Sequence, residues 1–168
     1  MNGFQASDPL DRSSRLAPMV SEQEATLLQR QVENVLKQGG QLVNSLDRNR
    51  ACFSPCIVKH ERWPTGAVEE EFFGPVFSVS AFSSREDLIH QVNSSSFGLG
   101  ASLVGEDLFA MRSIAERLDE GGVFLNSPVF SDPKIPFGGV KHSGFGRELG
   151  RQAFTEFANI QPLVIVKE

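Results

Sequence analysis

Along residues 76–126 the hydrophobic pattern switches repeatedly between a period of two and a period near 3.6, which sharply limits what the chain can fold into. After Gly74-Pro75, "VFSVSAF" alternates, with Phe77, Val79 and Ala81 on one face, as a strand does. Ser83 or Ser84 can cap a helix carrying Leu88, Ile89 and Val92, and "GASLV" reads as a short strand. Leu108, Met111, Ala115 and Leu118 mark a second helix ended by Gly121-Gly122, and "VFLN" follows as a strand. Parallel neighbours need a long crossover, so strand, helix, strand, helix, strand predicts βαβ units in an α/β fold.

Upstream, Ser21 and Glu24 form a capping box, and Ala25, Leu28, Val32 and Val35 make an apolar stripe at helical spacing. Gly39-Gly40 closes that helix. "QLV" and "CFSPCIVKH" read as strands flanking a polar stretch.

Downstream, "PFGGVKHSGFGRELG" places five glycines in fifteen positions ahead of an apparent amphipathic helix bearing Leu149, Ala153 and Phe157. Such a stretch suits a phosphate cradle, where main-chain N–H groups meet an anion at a helix N-terminus, or a structural loop passing close to its neighbours. Gly144-x-Gly146-x-x-x-Gly150 misses the G-x-G-x-x-G spacing by one residue and lies well beyond its strand. No Gly-Lys pair occurs anywhere, which excludes a Walker A loop. The spacing therefore favours the structural loop.

With 168 residues, 40% of them hydrophobic and 22% charged, the chain is long enough for one globular domain with a core. Its formal net charge of −5 argues against nucleic acid or an anionic membrane as partner. "MNGFQASDPLDRSS" lacks the pattern of a signal peptide and "LVIV" is too short to span a bilayer, so a cytoplasmic chain is expected. Cys52 and Cys56 stand apart from any cluster of metal-ligand spacing and are expected as free thiols.

Four stretches, "EEFFGPV" at residues 70–76, "FGLGASL" at 97–103, "FLN" at 124–126 and "PFGGVKHSGFGRELG" at 136–150, resemble in order and spacing the NAD(P)-dependent aldehyde dehydrogenase superfamily, and Ser131, in the loop before the last of them, makes the chain most similar to its succinate-semialdehyde dehydrogenase group. The resemblance covers nearly the whole chain but only about the last third of a family enzyme. It implies a partial catalytic domain over residues 1–159, with an open, mostly parallel sheet and flanking helices, followed by an oligomerisation strand over 160–168. It also implies NAD or NADP as cofactor, a small-molecule aldehyde as substrate, an upstream Rossmann domain outside this chain, and a homo-oligomer.

Residue by residue, Glu71 matches the glutamate that binds the nicotinamide ribose, where a carboxylate can accept from both hydroxyls, and Phe73 matches the aromatic beside it. Phe137 matches the aromatic near the aldehyde, and Ser131 stands where a hydroxyl can donate to the distal carboxylate of succinate semialdehyde, although a turn residue before Asp-Pro fits equally. Glu69 and Glu70 read as a solvated acidic run, and Lys141, His142 and Arg147 as surface or interface groups with Glu148 and Glu156 as local partners. The family's nucleophilic cysteine and general-base glutamate precede the region matched here; Cys56 follows Pro55 where the family has a Pro-Thr pair, so neither cysteine is expected to be catalytic and the chain alone is expected to be inactive. Two other functions stand beside this one: a stand-alone Rossmann-like nucleotide-binding module, and a non-catalytic interaction protein that joins other subunits through its terminal strand.

Overall fold

The computed structural model describes residues 4, 6–61 and 71–167. The chain divides into two compact units, Met1–Ser83 and Ser84–Glu168.

The first unit is organised by helix α1 (Glu22–Lys37). The Ser21 side chain accepts from the Glu24 N–H at 3.1 Å, satisfying one of the free donors at the helix start. At the other end Gly39, at φ +100°, donates to Leu36 and Gly40 donates to Val35, the paired bonds of a Schellman turn that only a residue tolerant of positive φ makes cheaply. Ala25, Leu28, Val32 and Val35 all point into the core, as their spacing requires. They meet a sheet ordered β1-β4-β5, formed by β1 (Gln41–Leu42), β4 (Cys56–His60) and β5 (Val76–Ser80). Cys56, Val58 and Val76 enter the same core, joined by Phe53 from a small antiparallel ribbon of β2 (Arg48–Asn49) and β3 (Cys52–Phe53). Phe77 and Val79 share a face of β5 as expected, and that face is exposed while Val76 turns inward.

The second unit contains the βαβ crossover. Strand β7 (Ala101–Leu103) pairs in parallel with β8 (Val123–Leu125), and α3 (Leu108–Ala115), capped by the Asp107 carboxylate on the Ala110 N–H, connects them. Ahead of it, α2 (Arg85–Asn93) is capped by Ser84, the second of the two candidate serines. Strand β6 (Phe97–Gly98) pairs antiparallel with β9 (Val140–Lys141).

Four expectations need correction. The sheets are mixed rather than mostly parallel: β4–β5 and β7–β8 are the longest ladders and are parallel, whereas β1–β4, β2–β3 and β6–β9 are antiparallel. Helix α3 ends at Ala115, and Leu118 is buried from the turn beyond it. Among the described residues after the glycine-rich stretch, only α4 (Ala153–Glu156) is helical; it buries no residue, Leu149 lies outside it at φ +60°, and Phe157 is exposed. Residues 159–167 carry no strand, and Leu163, Val164, Ile165 and Val166 are all exposed. Among the described residues, no helix is long and apolar enough to cross a membrane.

Candidate functional site

The segment before β5 holds two side chains outward from the first unit. Phe72 packs against the core, whereas Glu71 and Phe73 on either side of it are exposed, Phe73 to 75%. Gly74 then passes directly beneath α1, where a Cβ would clash with Leu28 Cδ2 and lie 3.1 Å from Met19 Sδ. The Gly74 N–H donates to the Phe72 carbonyl, and the Cys56 N–H donates to the Pro75 carbonyl, so the segment is tied to β4 as well. A carboxylate and an aromatic ring are thus held outward by a backbone anchored inward. Glu69 and Glu70 lie outside the described residues.

In the second unit a cleft of about 430 Å³ opens beside the end of β8, lined by Phe124, Phe130, Asp132, Ile135, Phe137 and Gly138 among others. The rings of Phe124 and Phe130 lie 5.3 Å apart at 57°, a favourable tilted contact that forms one wall. Phe137 is half-buried and fixed through its backbone: its N–H donates to the Glu148 carbonyl and the Glu148 N–H donates back, both at 2.8 Å. Ser131 is exposed on the loop between two lining residues, Phe130 and Asp132.

The chain leaves β8 toward the cleft at a residue whose role the sequence did not reveal. Asn126 directly follows β8 at φ +52°, and its amide accepts from the Gly105 N–H and donates to the Gly105 carbonyl, each at 2.9 Å. Together with the bond from its own N–H to Leu103, this continues the β7–β8 ladder by side chain and sets where the cleft loop departs. Asparagine tolerates the left-handed region better than most residues, which was the available signal.

The glycine-rich stretch is a packed loop. A Cβ on Gly121 would overlap the Gly138 carbonyl oxygen, and one on Gly138 would lie 2.5 Å from that of Gly146. The main-chain donors of Phe137, His142, Ser143, Glu148 and Gly150 are used by protein carbonyls, leaving them unavailable to a phosphate. Lys141 donates to the Asn93 carbonyl, and His142 meets the Phe97 ring edge-on, which keeps both in surface roles. Arg147 departs from expectation: it is half-buried, and its guanidinium donates to the carbonyls of Gly139 and Gly146 rather than to a carboxylate. Glu156 accepts instead from the Arg147 main-chain N–H at 3.3 Å.

The chain matches the aldehyde dehydrogenase family over residues 1–163. It belongs to that family. The chain is 38% identical over 161 residues to a succinate-semialdehyde dehydrogenase (NADP(+)) of Deinococcus radiodurans, covering 94% of this chain and 34% of that protein. It is 37% identical to a succinate semialdehyde dehydrogenase (NAD(P)+) of Escherichia coli K12, covering 92% and 34%. It superposes on the crystal structure of succinic semialdehyde dehydrogenase from Streptococcus pyogenes in complex with NADP+ with a TM-score of 0.86 and 32% identity, covering 99% of this chain and 37% of that one. The chain therefore spans about a third of the length of these relatives.

Both cysteines are free, and Cys56 is fully buried. Loss of hydration on burial raises its thiol from 9.0 to about 11, opposite to the shift a nucleophile needs. The unfolded chain releases this proton near 9 while the folded chain holds it until about 11, so the contribution to stability is intact below pH 9 and is lost as pH rises through that window. At pH 8, iodoacetamide is expected to label Cys52 first and Cys56 only on unfolding, and denaturation midpoints are expected to fall between pH 9 and 11 in the parent but less in Cys56→Ala. Equal labelling rates in the folded chain would refute the buried-thiol assignment.

Proposed function

We propose that this chain supplies the nicotinamide-ribose contact and part of the substrate channel of an enzyme that oxidises an aldehyde to the carboxylic acid with NAD or NADP. The observation that carries the reading is the anchored presentation of Glu71 and Phe73. Phe72 and Gly74 fix the backbone from the core side, and a carboxylate held outward in this way has two oxygens with which to accept from both ribose hydroxyls. Phe73 offers an exposed ring against which that end of the cofactor can pack. The chemistry supplied by a bound nicotinamide is hydride acceptance. Phe137, with Phe124 and Phe130, forms an aromatic channel wall that keeps water from the aldehyde, and the hydroxyl of Ser131 donates to the distal carboxylate of succinate semialdehyde. Two free thiols suit the cytoplasm, a reducing compartment.

The cofactor role is tested in a chimera in which this chain replaces the stretch it matches in the Deinococcus radiodurans enzyme. Glu71→Gln is expected to lower kcat tenfold or more while changing the Kd for NADP less than threefold, because orientation is lost while most contacts remain. Kinetics equal to the parent chimera's would remove Glu71 from the site. The chain by itself is expected to show no aldehyde oxidation, and turnover abolished by Cys56→Ser would overturn that expectation.

Subunit association through residues 160–168 belongs to the same proposal. Leu163, Val164, Ile165 and Val166 form an exposed aliphatic and β-branched run whose backbone is a template for another strand. Light scattering after size exclusion is expected to show the full chain self-associating and a version ending at Asn159 monomeric. Unchanged association on truncation would rule this segment out.

A further inference from the structure

The loop that carries Phe137 has two limbs held by different means. The outgoing limb is docked by β9, which pairs with β6, and by the Ser143 hydroxyl, which accepts from the Gly98 N–H at 3.0 Å. The returning limb, residues 145–148, has no comparable apolar anchor, since the Phe145 ring is fully exposed. It runs between Gly144 at φ +132° and Leu149 at φ +60°, with Gly146 at +75°, a backbone rich in residues of high conformational freedom. Yet Glu148 on this limb exchanges both backbone hydrogen bonds with Phe137.

Arg147 closes the gap. Its Nη1 donates to the Gly139 carbonyl at 2.9 Å on the outgoing limb and to the Gly146 carbonyl at 2.7 Å on the returning one. Its stem lies across Gly138, where a Cβ would stand 3.1 Å from Arg147 Cδ. A charged donor shared by two carbonyls in a half-buried site is stronger than a neutral hydrogen bond.

We propose that Arg147 is the positioning residue for Phe137, a clamp that joins the two limbs and thereby fixes the ring in the cleft wall. The functional meaning of that clamp rests on the channel role given to Phe137 above. The clamp is tested without turnover, so it can fail while the channel role stands, and the reverse.

The experiment measures amide hydrogen exchange and the aromatic 13C resonance of Phe137 in the full chain and in Arg147→Met, with Arg147→Lys as the conservative variant. In Arg147→Met the Phe137 and Glu148 amides are expected to exchange tenfold or more faster and the Phe137 ring resonance to move. The Ala101 and Asn126 amides of the β7–β8 region should keep parent rates. Arg147→Lys should restore both readouts in large part, because an ammonium can donate to the same two carbonyls. Parent exchange at Phe137 and Glu148 in Arg147→Met would overturn the proposal. So would acceleration shared equally by Ala101 and Asn126, which marks general loss of stability, or a lysine variant no better than the methionine one. Should Arg147→Met not fold, Arg147→Gln takes its place with the same outcomes.

Discussion

The approach of one glycine backbone to another, Gly121 beneath the carbonyl of Gly138, is the constraint on which the second unit depends. It brings the turn before β8 against the loop that follows Phe137, and any side chain at Gly121 would occupy the space of that carbonyl. The Gly121 N–H also donates to Gly98, so β6, the turn before β8 and the glycine-rich loop meet at one point. The cleft is a consequence of this convergence, since Gly121, Phe124 and Phe137 line it together. Glycine serves close packing here, and its freedom is needed only where the loop reverses.

The first unit solves a different problem by a related means. An exposed carboxylate on a mobile segment would spend binding energy on ordering itself, and effective orientation requires that cost to be met beforehand. In the proposed cofactor role of Glu71, the packing of Phe72 against the core and the passage of Gly74 under Leu28 meet it during folding. The core of α1, β4 and β5 is thus more than a stability element, because it fixes the one stretch that carries both Glu71 and Phe73.

Much of this was legible in the residues. The capping serines and the α1 stripe follow from local rules whose signals lie within one helical turn, and Ser21, Ala25, Leu28, Val32 and Val35 behave accordingly. The parallel β7–β8 pair follows from the period change across α3. The antiparallel partners of β4 and β6 were not legible, because pairing across distant segments such as Phe97 with Lys141 leaves no periodic trace in either one. The partners of Arg147 were not legible for the same reason: neighbouring carboxylates are visible in a sequence, whereas the carbonyl oxygens it binds belong to glycines and are exposed only by the folded loop. The use of the glycine-rich loop for packing was correctly indicated by its spacing, and its donors bear this out at Phe137, His142 and Glu148.

In the proposed function the glycine-rich loop supports a substrate channel while Glu71 holds the cofactor ribose. A crystal structure of the Deinococcus chimera with NADP+ bound tests it most directly. The Glu71 carboxylate is expected within hydrogen-bonding distance of the nicotinamide ribose hydroxyls, the Phe137 ring in the channel wall, and no cofactor atom on the main-chain N–H groups of residues 138–147. A pyrophosphate seated on that loop, or a ribose bound without Glu71, would contradict it.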